Sequence, residues 1–228
     1  MKKTHCLGLV GGLGVGAAVH YYQGLAKAHS ALGLSLDLVM ANAETGRIFE
    51  YAQADDRAGM AEYLAEFARR LKAAGAEFLA IPAVTPHFCV RELAAISPLP
   101  VLSILESLAD EIRARGVRRV AVFGTRFVIE SRLFGLVEGV EFCGLAAEEI
   151  EYVHAIYREL AQSGRGTGEQ FAGLTRLAHV LREREKADAI LMAGTDLSLL
   201  FNDANTDFPA IDCAALHMKR ILQRMIVD

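Results

Sequence analysis

The sequence predicts an α/β protein built from two similar units, each with a parallel sheet flanked by helices. Apolar stretches typical of buried strands alternate with helical stretches along the chain, which is the pattern of parallel strands joined by right-handed crossovers. In addition, stretches 79–87 and 189–197 share one order: an apolar strand, a small residue, a threonine and a helix start. The repeat predicts an N-terminal unit over 1–100 and a C-terminal unit over 103–210, with a ligand cleft between them. A last helix over 213–227 is expected to pack on the first unit.

The elements follow from hydrophobic periodicity and from glycine and proline positions. In the first unit we expect these strands and helices: strands over 5–10, 34–41 and 79–84, and helices over 17–30, 56–74 and 88–96. In the second unit the corresponding pattern is helix 103–115, strand 118–123, strand 140–143, helices 148–162 and 169–186, and strand 187–192. Each strand that ends in a small residue and a threonine places polar groups at the carboxyl edge of its sheet, where ligands of open α/β sheets bind.

Composition narrows the function classes. The chain has 228 residues, of which 53% are hydrophobic, enough for a packed core. A net charge of −4 with scattered Lys and Arg gives no footprint for nucleic acid or an anionic membrane. The first apolar run is too short for a signal peptide, and no stretch reaches the about 18 apolar residues of a membrane span. The 4 cysteines show no C-x-x-C spacing, so neither a zinc site nor a disulfide framework is predicted. We expect a cytoplasmic protein with a small-molecule ligand.

The two repeated stretches are predicted to be two halves of one site. We call residues 83–87 half-site 1 and residues 193–197 half-site 2. Thr85 and Thr195 suit helix N-cap positions, and Pro86 suits the first helical position. Such helix starts direct backbone N–H groups and the positive end of a helix dipole at an anion. The predicted ligand is therefore a small carboxylate.

These motifs resemble the cofactor-independent aspartate/glutamate racemases, whose two half-sites read strand–Cys-Asn-Thr-x-His and strand–Gly-Cys-Thr-Glu. Further landmarks in matching order are the glycine run 9–14, the strand end 122–125 and the Ile-Asp pair 211–212, so the resemblance covers nearly the whole chain. It implies the racemase fold, an amino-acid or dicarboxylic-acid ligand, a PLP-independent racemase or isomerase with no cofactor, and a homodimer.

The resemblance also shows which groups are replaced. The family uses one cysteine at each strand end, one base for each face of the substrate Cα; here Ala83 and Gly194 stand at those positions, and Val84 replaces the asparagine. Racemisation by two thiols is therefore not expected. His87 is the best remaining candidate for a general base because its ordinary pKa lies near neutrality, although a capping or packing role is the alternative. Cys89 is a second candidate, with the alternative that it is a small buried hydrophobe.

The remaining candidates lie at strand ends or in the polar segment after the second strand. The substrate-binding candidates are Asn42, Arg47, Val84, Thr85, Thr125, Gly194 and Thr195, and the supporting candidates are Gly12, Asp196 and Asp212. Arg47 could pair with a substrate carboxylate through two hydrogen bonds, or could simply be a surface arginine. No metal ligand set is predicted.

Three functions remain open at this stage. The first is an enzyme of the racemase superfamily with altered chemistry, isomerase- or lyase-like, acting on a small carboxylate. The second is a non-catalytic carboxylate-binding protein. The third is a nucleotide-binding α/β protein, because Gly12-x-Gly14-x-x-Ala17 matches a loose dinucleotide fingerprint and Glu44 follows the next strand. The alternative for that run is that its glycines let a strand turn tightly and approach its neighbour.

Overall fold

A computed structural model describes residues 4–226 and shows an α/β protein with two four-stranded sheets, all of whose strand pairs are parallel. This confirms the predicted fold class. The chain divides into two compact units: unit 1 comprises the residues up to Ile104 together with those from His217 onward, and unit 2 comprises Leu105–Leu216.

Unit 1 contains the sheet with strand order β2-β1-β3-β4. Its strands are β1 (Leu7–Gly11), β2 (Leu38–Asn42), β3 (Phe78–Ala80) and β4 (Val101–Leu102), and its helices are α1 (Val15–Ala31), α2 (Thr45–Gln53), α3 (Arg57–Ala73) and α4 (Val90–Ile96). A 3₁₀ segment, Thr85–Cys89, lies between β3 and α4. Strand β1 is buried along its whole length, as a central strand covered on both faces must be.

Helix α3 shows how the sequence sets one element. The Asp56 carboxylate accepts the Gly59 N–H at 2.8 Å and caps the helix start. Met60 and Leu64 point into the core with no exposed surface, and each such side chain contributes about 1.5–3 kcal/mol by burial. Gly75, at φ +101°, ends the helix because other residues rarely adopt that conformation.

Unit 2 repeats the topology of unit 1, with strand order β6-β5-β7-β8. Its strands are β5 (Arg119–Phe123), β6 (Glu141–Phe142), β7 (Ala189–Met192) and β8 (Ala210–Asp212), and its helices are α5 (Ile104–Ala114), α6 (Arg126–Glu130), α7 (Ala147–Ser163) and α8 (Gly168–Arg184). The 3₁₀ segments are Leu133–Gly135 and Thr195–Leu199. Helix α9 (Cys213–Met225) begins in unit 2 and continues into unit 1. In both sheets the second strand along the chain is an edge strand and the first and third are central.

The structure adds elements that the sequence pattern did not predict. Residues 45–53 form helix α2 rather than a polar loop; only Ile48 and Ala52 of this helix are buried, and two apolar positions one turn apart are too few to reveal a helix in the sequence. Strands β4 and β8 and helix α6 were not predicted, because elements of two to five residues carry too few positions to show a period. None of the helices within residues 4–226 is long and apolar enough to cross a membrane.

Candidate functional site

Half-site 1 follows β3 and begins differently from the prediction. Val84, not Thr85, occupies the N-cap position of the segment Thr85–Cys89, and no side chain caps it. The reason is that Val84 already has helical φ and ψ angles of −79° and −43°, so the turn starts one residue earlier and is 3₁₀ rather than α-helical. The N-cap prediction for Thr85 is wrong, and Pro86 lies at the second position of the segment rather than the first.

His87 is buried and engaged at both ring nitrogens. Its Nδ1–H donates to the Ala83 carbonyl at 2.9 Å, and its Nε2 accepts the Ile104 N–H at 3.2 Å. Because a carbonyl can only accept and a backbone N–H can only donate, these partners fix the neutral tautomer. Burial lowers the pKa of His87 to about 4. In this arrangement neither nitrogen has a lone pair available for a substrate proton, which favours the alternative of a structural histidine over a general base.

A second buried histidine, His217 on α9, lies beside the first, with ring centroids 6.3 Å apart. Its Nε2–H donates to the Leu102 carbonyl at 3.0 Å, and its Nδ1 accepts from the Tyr21 hydroxyl at 3.1 Å. Burial, with a smaller contribution from His87, lowers the pKa of His217 to about 3. Nothing along the sequence points to this residue, because its partners lie in distant elements. The two rings form a neutral pair inside unit 1.

Half-site 1 contains no thiol, and the cysteine that follows it, Cys89, is not ready to act as a base. Ala83, at the family's first cysteine position, is buried. The Cys89 Sγ–H donates to the Pro86 carbonyl at 3.3 Å, and burial raises the pKa of this thiol to about 12. A cysteine with such a pKa stays protonated at neutral pH and is a poor nucleophile or base. Cys89 therefore fits the alternative of a small buried hydrophobe.

Half-site 2 follows β7, and its central feature is the contact between Gly194 and Tyr157 of α7. A Cβ atom at position 194 would lie 2.3 Å from Tyr157 Cε2 and 2.7 Å from Cδ2. The tyrosine ring thus fills the space in which a side chain at the family's second cysteine position would start. Gly194, not Thr195, is the N-cap residue of the segment Thr195–Leu199, so the N-cap prediction for Thr195 is wrong. Its φ of −142° is open to any residue; contact, not strain, requires glycine here.

Tyr157, Thr195 and Asp196 form one buried polar cluster. The Tyr157 hydroxyl donates to Asp196 Oδ2 at 3.2 Å and is also hydrogen-bonded by the Thr195 side chain. Asp196 has no exposed surface and Thr195 almost none. Burial and the neighbouring Asp196 raise the pKa of Tyr157 well above its ordinary value. At neutral pH this phenol is therefore protonated and cannot act as a base.

Two other predicted residues of unit 2 cap helices. The Thr125 hydroxyl accepts the Val128 N–H at 3.2 Å as the N-cap of α6. Asp212 accepts the Ser198 hydroxyl at 2.8 Å and the Ala214 N–H at 2.8 Å. Thr125 follows β5, and Asp212 ends β8, so both lie beside half-site 2 at the carboxyl edge of one sheet. Hydrogen bonds that close a helix end hold these groups in place.

The predicted residues at the start of unit 1 lie after β1 and β2. Asn42 is the last residue of β2, is exposed, and pairs in register with Gly11. The Arg47 guanidinium is 4.5 Å from the centre of the Tyr63 ring, an exposed cation–π contact. The guanidinium also donates to the Tyr51 hydroxyl at 3.4 Å through Nη2, so these two aromatic side chains hold Arg47 in place.

Gly12 requires glycine because of a close approach and a left-handed backbone. Its φ is +82°, and a Cβ would meet the Ala43 carbonyl oxygen at 2.2 Å. The Gly12 carbonyl accepts the Thr45 hydroxyl at 2.7 Å, which ties the glycine run to the start of α2. This packing supports the tight-turn interpretation of the glycines.

We expect Gly12→Ala to lower the free energy of unfolding by about 3 kcal/mol, from the positive φ and the backbone overlap together. Gly33→Ala is the matched control: Gly33 has φ +68° but nothing within 4 Å, so only the strain of about 1 kcal/mol applies. Urea unfolding of both variants measures the difference, and equal losses would contradict the role of the Ala43 contact.

Tyr157 is the residue of half-site 2 that the sequence did not indicate. It lies in the predicted helix 148–162, but nothing in the sequence connects position 157 with position 194. Across residues 4–226 no group of three or more His, Cys, Asp or Glu side chains is arranged to hold a metal ion.

Comparison with known proteins identifies the family. The sequence profile of the Asp/Glu/Hydantoin racemase family matches residues 10–221. The broad specificity amino-acid racemase RacX of Bacillus subtilis is 23% identical over 171 residues, covering 70% of each chain. An aspartate racemase homologue from Pyrococcus horikoshii is 25% identical with a TM-score of 0.79, covering 98% of both chains. The Picrophilus torridus aspartate racemase has a TM-score of 0.72 at 14% identity, covering 98% of this chain and 96% of its own. The profile match spans nearly the whole sequence, and the chain therefore belongs to the Asp/Glu/Hydantoin racemase family.

Proposed function

We propose that this chain binds a small amino or dicarboxylic acid and acts as an isomerase- or lyase-like enzyme without a pair of thiols. The observation that carries the proposal is the Tyr157 ring at the family's second cysteine position, 2.3 Å from a Cβ at Gly194. The resemblance to a broad specificity amino-acid racemase supports an amino acid as the ligand class.

In unit 1 the ligand carboxylate would be bound by the hydroxyl of Thr85 and the backbone around Val84, with Asn42 and Arg47 as further partners. In unit 2 the backbone around Gly194 is the corresponding binding candidate. A guanidinium binds a carboxylate through two parallel hydrogen bonds, which fixes its orientation as well as its position. Thr125, Thr195, Asp196 and Asp212 hold half-site 2 in shape through the hydrogen bonds described above.

The chemistry we propose needs a proton on one face of the substrate only. Decarboxylation, elimination or isomerisation next to a carboxylate requires one acid or base or none, whereas racemisation requires one on each face. His87 is left out because both ring nitrogens are engaged. The Tyr157 phenol is left out as well, because its one proton is already donated to Asp196 and its pKa is raised well above the ordinary value.

The engaged His87 also favours a second candidate, a carboxylate-binding protein that catalyses nothing. Both candidates share the ligand class and differ in turnover. The nucleotide-binding alternative differs in ligand class and is tested in the same binding experiment.

Isothermal titration with amino acids, dicarboxylic acids and nucleotides tests the binding proposal. We expect heat with at least one carboxylate, and about a tenfold weaker affinity in Thr85→Val, which loses one hydrogen bond to a charged group. Thr206→Val, in the loop before β8, is the control and should bind as the wild type does. Binding of nucleotides without any carboxylate binding would overturn the proposal.

Turnover is measured separately on the acids that bind. Proton NMR in D₂O detects Cα exchange, and the same spectra reveal a decarboxylated or eliminated product. We expect product formation or one-sided exchange with retained configuration. If the ligand is unchanged after prolonged incubation, the protein is not an enzyme for that ligand, and the second candidate function, carboxylate binding without catalysis, is favoured.

A further inference from the structure

We propose that Tyr157 is the specificity-determining residue of half-site 2, because its ring excludes any side chain, and hence any thiol, from position 194. The role of Tyr157 in the reaction rests on the proposed function. The steric exclusion at position 194 does not depend on that function, and it is tested without any ligand.

The overlap is with a ring and not with a flexible chain end. A Cβ at position 194 would lie 2.3, 2.7 and 3.2 Å from Cε2, Cδ2 and Cζ of Tyr157, so one whole ring edge is in the way. Real carbon atoms in contact lie about 3.5–4.0 Å apart. A cysteine would bring a sulfur atom in addition to the Cβ. The ring must therefore move as a unit before position 194 can carry a thiol.

The ring is also anchored at its far end. Its hydroxyl donates to Asp196 Oδ2 at 3.2 Å and is hydrogen-bonded by Thr195, both within two residues of Gly194. Tyr157 is 7% exposed, so its surroundings are packed. Rotation of the ring away from position 194 would break these bonds and leave the buried Asp196 carboxyl without this donor, which is costly. Position 157 and position 194 are therefore coupled through both contact and hydrogen bonding.

The functional consequence is that half-site 2 cannot carry the thiol that the family uses as its second base. A thiol at each strand end gives one base for each face of the substrate Cα. With the Tyr157 ring at the second position, half-site 2 presents a neutral phenol paired with Asp196. The residue at position 157 thus decides which chemical group half-site 2 can hold. Half-site 2 differs from that of the family in two ways: the cysteine is absent, and the space for its side chain is filled.

A mutant cycle tests the coupling. Gly194→Cys alone is expected to lower the thermal unfolding midpoint by at least about 5 °C, the scale of overpacking in a chain of this size. In a Tyr157→Ala background the same change is expected to cost less than about 2 °C, because the space is vacated. Tyr157→Phe keeps the ring and should give no such relief. Gly144→Cys, in unit 2 with nothing within 4 Å, is the matched control for adding a cysteine.

Thiol reactivity supplies a second readout that packing alone would not change. Alkylation by iodoacetamide at pH 7.5, followed by peptide mass mapping, should proceed at least about tenfold faster at position 194 when Tyr157→Ala is present than when the tyrosine remains. The 4 natural cysteines are buried and free and serve as internal references. If Gly194→Cys does not fold, Gly194→Ala gives the cycle with the Cβ alone. Equal midpoint losses and equal alkylation rates in the two backgrounds would overturn the proposal.

Discussion

A variant combining Ala83→Cys, Val84→Asn, Gly194→Cys and Tyr157→Ala is expected to exchange the Cα proton of an amino acid at least about a hundredfold faster than the same variant with Tyr157 intact. A positioned general base contributes on the order of 10²–10⁴ in rate, and the second thiol can take its position only when the ring is removed. Proton NMR in D₂O with aspartate, glutamate and smaller amino acids measures the exchange.

Variants with one thiol distinguish the two steps of the reaction. Ala83→Cys with Val84→Asn alone should at most exchange the proton with retention, because inversion needs a group on the opposite face. Polarimetry separates exchange from inversion. Brisk racemisation by the unmodified protein would contradict the prediction, since Ala83 and Gly194 carry no base and both nitrogens of His87 are engaged. A variant with all four changes that binds ligand but exchanges nothing would also contradict it.

The free energy of unfolding is expected to fall by about 5 kcal/mol between pH 7 and pH 4.5 through His87 and His217. Their pKa values in the folded protein are about 4 and about 3, below the ordinary value of 6.5, so the unfolded chain binds protons that the folded chain rejects. Above pH 6.5 both states are neutral at these rings and no stability is lost. As the pH falls below 6.5 stability declines, with a slope approaching about 2.7 kcal/mol per pH unit for two protons.

Urea unfolding at half-unit pH steps from 7.5 to 4.5 measures this slope, and the steps above about pH 5.5 lie above the range in which most carboxyl groups titrate. His87→Gln and His217→Gln remove one titrating ring each, so each should be less stable at pH 7 but should show about half the slope. The double replacement should keep only a smaller loss, to which His154 contributes because burial lowers its pKa as well. A wild-type slope that survives in the double replacement would show that other groups cause the acid sensitivity.

The fold could be predicted from the sequence because the strand–small–Thr–helix order occurs twice and fixes two similar parallel sheets. The N-cap positions could not be predicted from the sequence. The backbone angles of Val84 depend on how the chain enters the turn, and they decide which residue is the N-cap. Likewise, His87 looks like a free base in sequence, since its second partner, the Ile104 N–H, is 17 residues away. Tyr157 could not be found at all, since the contact with Gly194 depends on how α7 packs on the end of β7. Local order along the chain is visible in sequence, and side-chain contacts between elements are not.

Unit 1 is discontinuous, and this has a consequence for how the chain folds as it is synthesised. The residues that complete this unit come after the whole of unit 2: Thr4 forms a bridge with Ile226, the His5 N–H donates to the Met225 carbonyl at 2.8 Å, and His217 donates to the Leu102 carbonyl. Unit 1 can therefore be completed only after the last residues of the chain have been made, although its strands are synthesised first. Until then unit 1 lacks α9, whose Ile221 and Met225 side chains are fully buried in the finished fold. In that interval the exposed apolar surface of the N-terminal segment is the part of the chain that needs protection from aggregation.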